Sequence, residues 1–206
     1  MTVKGTLATL LLASFLCAGC VSSPTTLLLD SNVGLDLSYR KFDVCKDYGC
    51  ATIVPVALTP DEWTQITQIF TIPAPDPAAE RRLIANAVGL FERLVGPKAG
   101  TDVDAAGAAL LKVGKQGQQD CIDESFNTST YLMLLDWNGF LHWHQAGEPA
   151  RRGKFIDLEW PHNTATVVER LTGDRYAVDS WFHKNGQKPE IVPVDLWLGG
   201  WRPVGA

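Results

Sequence analysis

Basic clusters are scarce in this chain of 206 residues, which has 18 lysines and arginines against 23 aspartates and glutamates and a net charge of −5. The longest basic runs are the pairs Arg81-Arg82 and Arg151-Arg152. A nucleic-acid partner is therefore not expected, because a protein that neutralises phosphates needs a basic surface. A hydrophobic fraction of 46% and a charged fraction of 20% also exclude a wholly disordered chain.

Cysteine is sparse as well, and its five positions are Cys17, Cys20, Cys45, Cys50 and Cys121. Five residues are too few for a disulfide framework, and they are too scattered for a zinc site built from two CxxC pairs. An odd count means that at least one cysteine lacks a partner within the chain. We therefore ask which role the sequence indicates for each cysteine.

Long apolar runs are confined to the beginning of the chain, where Lys4 precedes the apolar residues 7–16. This run suits a signal peptide and is too short to span a bilayer. The small residues Ala18 and Gly19 stand before Cys20, a pattern that resembles a bacterial lipoprotein signal. The resemblance implies that Cys20 is lipidated, becomes the mature N-terminus and anchors the protein to a membrane.

This resemblance sets the expected boundaries: residues 1–19 as the lipoprotein signal peptide, 20–34 as a tether and 35–206 as a single domain. Ordinary cleavage near Ala18 and an uncleaved anchor are the alternatives. No aspartate follows Cys20, which favours the outer membrane, with the domain facing the periplasm. No other segment approaches 18 consecutive apolar residues, so no transmembrane helix is expected after the signal.

The rest of the chain predicts helices first and an antiparallel sheet afterwards, which is an α+β fold. Thr59, Pro60 and Glu62 are typical of a helix start, and apolar spacing predicts two further helices. Turn signals divide the second half into β-branched and aromatic segments. The predicted helices cover about 60–70, 78–95 and 120–136, and the predicted strands cover 35–39, 51–58, 140–146, 155–160, 164–171, 175–182 and 190–196.

Three residues stand where a thiol nucleophile and its partners are needed. Cys121 opens a predicted helix after Asp120, and a helix N-terminus supplies the positive potential that favours a thiolate. His162 precedes one predicted strand and Asp179 ends the next. Antiparallel pairing of these strands would bring the imidazole and the carboxylate together, as a base and the group that orients it.

This order of residues resembles the transglutaminase-like branch of the papain-fold cysteine hydrolases, including the bacterial transglutaminase-like cysteine proteinases. The matching segments are Asp120-Cys121-Ile122-Asp123, His162 before a hydrophobic strand, and Asp179 after the next strand. The resemblance implies a papain-like or transglutaminase-like core in which the nucleophile helix packs on the antiparallel sheet. It also implies Cys121 as nucleophile, His162 as general base and acid, and Asp179 as orienting carboxylate.

An oxyanion hole at this site would combine the Cys121 backbone N–H with a side-chain donor. Gln118 and Gln119 are the candidates for that donor, and Gln116 is a weaker one. Each of these amides could instead be solvated in a loop. Cys121 itself could be a buried apolar residue without a catalytic role.

Cys45 and Cys50 flank four residues, and a disulfide between them is expected in an oxidising periplasm. A metal-binding pair is the alternative, although the sequence places no further ligand nearby. His142 and His144 could bind a metal with Asp157 or Glu159, but the ligand count is short and polar strand positions are favoured. No metal and no cofactor is therefore expected.

The sequence as a whole predicts an envelope lipoprotein with a Cys-His-Asp thiol hydrolase site. The site would act on an amide bond of a peptide or protein through an acyl-enzyme, as a peptidase, amidase or acyl transferase. The alternative is a catalytically inactive papain-like lipoprotein that binds a peptide or an envelope partner. A third reading is a structural domain in which Cys121 is only packed.

Overall fold

The computed structural model describes residues 37–107, 116–153 and 161–204. The expected signal peptide and the whole of the expected tether, with Cys17 and Cys20, lie outside these ranges, and so does the strand expected at 155–160. The fold is α+β, as the sequence predicts. Its elements are β1 (Phe42–Lys46), β2 (Thr52–Val56), α1 (Pro60–Gln68), α2 (Pro77–Ala99), α3 (Cys121–Trp137), β3 (His144–Arg152), β4 (His162–Glu169), β5 (Arg175–Asp179), β6 (Glu190–Pro193) and α4 (Val194–Leu198).

Strands β1 and β2 form a separate antiparallel hairpin, with Val44 opposite Val54. The sequence-based prediction placed the first strand at 35–39 and left Phe42–Lys46 in the connection, which is wrong. Residues 38–41 instead form a turn in which Ser38 and Lys41 exchange two backbone hydrogen bonds. The apolar alternation of Phe42 and Val44, both buried, is the signal that marks the true strand.

Helix α1 begins as predicted, since Thr59 and Glu62 form a reciprocal capping box. Helix α2 begins at Asp76, whose carboxylate accepts from the Ala79 amide at 2.6 Å. The prediction that Gly96-Pro97 ends this helix is wrong, because the helix continues to a left-handed Gly100. Pro97 removes one hydrogen bond of the helix because it has no N–H, and three residues later the amide of Gly100 donates to the Gly96 carbonyl at the helix end.

The four strands β3 to β6 form one antiparallel sheet in sequential order. Helix α3 packs on one face of this sheet, mainly against β4 and β3. Ala165, Val167 and Val178 face the helix and belong to the main hydrophobic core. The opposite face carries Ala177, and a smaller apolar cluster with the fully buried Trp197 of α4 covers it.

The C-terminal end of the sheet differs from its prediction. The strand expected at 190–196 stops at Pro193, and the short helix α4 takes over at Val194. Alternating apolar residues in VPVDLWL suit either structure over so short a stretch. The outcome matters because the helical turn, rather than a strand, carries Trp197 back over the sheet.

The connection from α2 to α3 passes through a turn at Gly117, whose φ is +77°. A Cβ at this position would overlap the Gly100 carbonyl oxygen and approach Val103 Cγ2 to 2.9 Å. Its amide donates to the Asp47 carboxylate at 3.0 Å. Glycine is therefore required here both by backbone conformation and by space, three residues before the cap of α3.

A Gly117→Ala variant tests this requirement, with Gly173→Ala as the matched control, since Gly173 has the same φ and open space around it. We expect Gly173→Ala to lower the free energy of unfolding by about 1 kcal/mol, the cost of a left-handed alanine. Gly117→Ala should cost about 1–3 kcal/mol more because of the overlap. Urea unfolding measures both, and equal losses would contradict the close approach.

Candidate functional site

Cys121 is the first residue of α3 and is an unpaired cysteine with 8% of its surface exposed. The Asp120 carboxylate caps the helix by accepting from the amides of Ile122 and Asp123 at 2.9 and 3.0 Å. Among the residues that the structure describes, no group accepts a hydrogen bond from the Cys121 amide. The nucleophile candidate therefore combines a thiol, a helix N-terminus and an unused N–H donor.

His162 opens β4 and Asp179 closes β5, and the antiparallel pairing of these strands brings the two side chains together. The distance from His162 Nε2 to Asp179 Oδ2 is 2.7 Å, and both groups are almost fully buried. An ionised carboxylate only accepts hydrogen bonds, so Nε2 carries the proton. The other ring nitrogen, Nδ1, is then the one that can take a proton from a nucleophile.

Cys121 lies close enough to His162 to affect the charge of its ring. Burial alone would lower the pKa of His162, but the charge and hydrogen bond of Asp179, joined by those of Cys121, outweigh it and raise the pKa to about 9. The sulfur also lies 3.9 Å from the carbonyl oxygen of Pro161. The imidazolium is thus the favoured form beside this sulfur at neutral pH.

Aromatic rings enclose the imidazole. Trp181, Trp197 and Phe182 have ring centroids 4.7, 5.4 and 5.5 Å from the His162 ring. The indole N–H of Trp197 donates to Asp179 Oδ2 at 2.7 Å, so the carboxylate is held from two sides. Nothing in the sequence pointed to Trp197, because the contact depends on how α4 folds back over the sheet.

Arg152 fastens α4 in this position. Its guanidinium lies 4.3 Å from the Trp197 ring centroid and donates to the carbonyls of Trp197 and Trp201. Arg152 ends β3 directly opposite His162 in the sheet register. The strand that borders the histidine therefore also holds the helix that orients its carboxylate.

Asn163 is a second residue that the sequence analysis missed. It follows His162 on β4, has 4% of its surface exposed, and its Nδ2 lies 3.8 Å from Cys121 Sγ. Its Oδ1 is buried and finds no hydrogen-bond partner within the described residues. Its position directly after His162 was the feature of the sequence that could have identified it.

Gln118 and Gln119 make their hydrogen bonds elsewhere. The amide of Gln118 donates to the Val103 carbonyl at 2.8 Å and accepts from Ala105 at 3.4 Å. The amide of Gln119 donates to the Cys45 carbonyl at 3.2 Å. Both side chains therefore brace neighbouring backbone, and the geometry gives no support to their selection as oxyanion donors. Gln116 is exposed.

Cys45 and Cys50 form the expected disulfide. The turn between them is left-handed at Asp47, Tyr48, Gly49 and also at Cys50, with φ values of 59–72°. Successive amides in this conformation converge on an anion. Here the anions are two carboxylates of α3: Asp123 accepts from Tyr48 and Cys50 at 2.8 and 2.6 Å, and Asp120 accepts from Gly49 at 2.9 Å.

These contacts tie the disulfide turn to the first turn of the helix that carries Cys121. Burial and then the neighbouring charge of Asp120 raise the pKa of Asp123 to about 7, against the lowering effect of the amides that it accepts from. Asn127, one helical turn further along, accepts from the Cys45 amide at 2.7 Å and donates to the Cys45 carbonyl at 2.9 Å. The hairpin and the start of α3 are therefore one hydrogen-bonded unit.

Two groups of side chains in the described part of the chain could bind a metal, but their ligand atoms are engaged in other interactions. Cys45, Cys50 and Asp123 come together, but the sulfurs form the disulfide and the carboxylate accepts backbone amides. His144 is fully buried, with Nδ1 2.9 Å from Glu80 Oε1 and Nε2 3.1 Å from Arg81. Both of its ring nitrogens are therefore engaged within the protein, whereas His142 is exposed and Asp157 and Glu159 lie outside the described residues.

Two buried carboxyls, those of Glu124 and Glu92, contact the segment that follows Asp179. Glu124 accepts from Ser180, the residue after Asp179, at 2.7 Å, and burial followed by the charges of Glu92 and Asp104 raises its pKa well above the usual value. Glu92 accepts from the Gly186 amide at 2.7 Å, and burial raises its pKa to about 8. The segment on the C-terminal side of Asp179 is therefore held by two buried acids whose pKa values are raised.

No family model, curated protein or solved structure matches the chain. Within the described residues, no helix is both long enough and apolar enough to cross a membrane. Conclusions about function therefore depend on the geometry of the site itself.

The protonated acids make stability depend on pH, and Glu92→Gln tests this. The folded state holds the Glu92 proton up to about pH 8, whereas the unfolded chain releases it near the ordinary value of about 4.5. The folded state therefore binds more protons between these values, and the free energy of unfolding falls as the pH rises. Glu92→Gln should reduce the slope of this fall between about pH 5 and 6.5, by the amount that corresponds to about one bound proton.

Glu62→Gln is the matched control, because hydrogen bonds from Thr59 and Lys98 outweigh burial and lower the pKa of Glu62. It should leave the slope between about pH 5 and 6.5 unchanged. Urea unfolding at closely spaced pH values gives the slopes. An unchanged slope in Glu92→Gln would contradict a protonated Glu92.

Proposed function

We propose that this protein is a thiol hydrolase or acyl transferase that acts on amide bonds of a peptide or protein through an acyl-enzyme at Cys121. The observation that carries the proposal is the hydrogen bond between His162 Nε2 and Asp179 beside a free cysteine at a helix start. A base, its orienting carboxylate and a nucleophile are the parts that this chemistry needs. The order and context of the three residues support a papain-like or transglutaminase-like core.

The electrostatics of the site favour a charged imidazole beside the nucleophile. Asp179, joined by Cys121, raises the pKa of His162 to about 9 against the effect of burial. Cys121 also stands at a helix N-terminus, a position that favours negative charge. The enclosing rings of Trp181, Trp197 and Phe182 limit water, which strengthens the attraction.

The proposed reaction has two halves. Cys121 Sγ attacks the carbonyl carbon, the C–O double bond opens to an oxyanion, and His162 Nδ1–H then passes its proton to the leaving nitrogen as the C–N bond breaks. The resulting thioester is attacked by water or by an amine, whose proton returns to His162. Expulsion of the Cys121 thiolate completes the cycle, giving hydrolysis in the first case and acyl transfer in the second.

We also propose that the domain works in the cell envelope, tethered through a lipid on Cys20 and facing the periplasm from the outer membrane. The Cys45–Cys50 disulfide supports this, since disulfides persist in oxidising compartments such as the periplasm. It also leaves Cys121 as the free thiol of the described residues. A tethered enzyme of this kind would act on envelope peptides or proteins.

Labelling of Cys121 tests the proposal without knowledge of the natural substrate. We expect iodoacetamide to alkylate the folded protein at about pH 6, because the histidine favours a thiolate. We also expect p-nitrophenyl acetate, an activated acyl ester, to transfer one acetyl group to the same sulfur. Intact-mass spectrometry measures both, and Cys121→Ala should take up neither label.

His162→Ala and Asp179→Asn separate the roles of the partners. Each should slow alkylation at about pH 6 by tenfold or more, His162→Ala the more strongly, because the base is then missing or misoriented. Slow labelling of the native protein at every pH would contradict the enzyme and favour the alternative, an inactive module that binds a peptide or envelope partner.

Trp197→Phe tests the hydrogen bond that the Trp197 indole donates to Asp179. Loss of the indole donor should weaken the pairing of Asp179 with His162, so the alkylation rate at about pH 6 should fall about 3- to 10-fold. The rise of rate with pH should also move to higher pH, which loss of packing alone would not cause. Trp201→Phe, in the same segment, is the matched control and should leave the profile in place; equal shifts would contradict the role of the indole.

A further inference from the structure

The proposed reaction forms an oxyanion that needs two hydrogen-bond donors, and one of these donors is evident at the start of α3. The Cys121 amide is an unused donor at the helix start, as described above. In sites of this kind, a second donor stands about 2.7–3.1 Å from the position that the oxyanion takes. The side chains of Gln118 and Gln119 are engaged with the backbone at Val103 and Cys45.

We propose that Asn163 is that second donor: its Nδ2–H, together with the Cys121 amide, stabilises the oxyanion formed when Cys121 attacks a carbonyl. This inference rests on the proposed thiol chemistry and assigns a catalytic residue to it. Asn163 Nδ2 lies 3.8 Å from Cys121 Sγ. The oxyanion is bonded to the carbon that the sulfur attacks, so it forms within reach of an amide at this distance from the sulfur.

The strand geometry explains why Asn163 rather than its neighbours reaches the sulfur. Side chains alternate between the faces of a strand, and Ala165 and Val167 of β4 lie in the core that α3 covers. Asn163 shares their face and therefore points toward α3 at the end where Cys121 begins the helix. His162, on the preceding position, contacts Asp179 and Trp197 and lies near enough to Cys121 for the sulfur to affect its pKa.

The burial of Asn163 is costly unless the amide has a use. Its Oδ1 lacks a partner within the described part of the chain, and leaving a buried polar group without a hydrogen bond destabilises the fold. Its Nδ2 donates to Cys121 Sγ at 3.8 Å in the resting protein. A side-chain amide carries two N–H donors, so this group, held beside the sulfur, can also donate to charge that appears only during the reaction.

Two probes of the same thiol distinguish this role from support of the thiolate. Alkylation by iodoacetamide displaces iodide and forms no oxyanion, whereas acetylation by p-nitrophenyl acetate passes through a tetrahedral oxyanion. We expect Asn163→Ala to slow acetylation by about 100-fold and to leave the alkylation rate within about threefold of native. Asn163→Asp, which keeps the shape and removes the donor, should slow acetylation at least as much.

Thr164→Val is the matched control on the next position of β4, where the Thr164 hydroxyl donates to the Val178 carbonyl at 3.0 Å. It should leave the ratio of the two rates unchanged. Thermal unfolding of each variant establishes that the site is folded, and the ratio of rates within one folded variant cancels any general loss of active protein.

The outcomes separate the two proposals. Parallel losses of both rates in Asn163→Ala would overturn the oxyanion role, since the amide would then act on the thiolate or on packing. Unchanged acetylation in a native-like Asn163→Ala would overturn it as well, with the thiol hydrolase intact. A native protein that reacts with neither probe would overturn both the proposed function and this inference.

Discussion

The hydrogen bond from His162 to Asp179 is the constraint around which the site is arranged. It joins the ends of two neighbouring strands, directs Nε2 of the ring to the carboxylate, and keeps a histidine and an acid together in a largely buried place. A carboxylate in such surroundings is costly unless it is fully hydrogen-bonded. Trp197 supplies the second donor, and Arg152 holds Trp197 over the sheet. The C-terminal segment is thereby part of the site.

The other half of the site depends on the start of α3. Asp120 caps the helix, and the left-handed turn of the Cys45–Cys50 loop surrounds the carboxylates of Asp120 and Asp123 with amides. The amides of this turn provide hydrogen bonds for two acids that stand at the positive N-terminal end of α3. The disulfide holds the turn in its unusual conformation. The hairpin formed by β1 and β2 thus helps to position Cys121, although it lies far from Cys121 in the sequence.

Local signals in the sequence were sufficient for the helix starts and for the central residues. The Thr59 capping box and the Asp120 cap depend on residues within one turn, so the pattern predicts them well. His162 and Asp179 follow from the pairing of adjacent strands. The first strand, the end of α2 and the helix at Val194 were misplaced, because packing decides them over short or proline-containing stretches. The strand expected at 140–146 was misplaced as well, since β3 runs from His144 to Arg152. The roles of Asn163 and Trp197 depend on side chains from distant segments meeting at the sulfur and the carboxylate, which no local pattern encodes.

The proposed chemistry depends on a charged His162 paired with Cys121, and the protonation of His162 tests this pairing directly. An NMR titration of the labelled imidazole follows this group alone in the native protein and in Cys121→Ala. We expect a pKa for His162 of about 9 in the native protein and a clear fall in Cys121→Ala, which removes the contribution of the sulfur. A pKa near the ordinary histidine value of about 6.5, unchanged by Cys121→Ala, would contradict the pair and the chemistry derived from it.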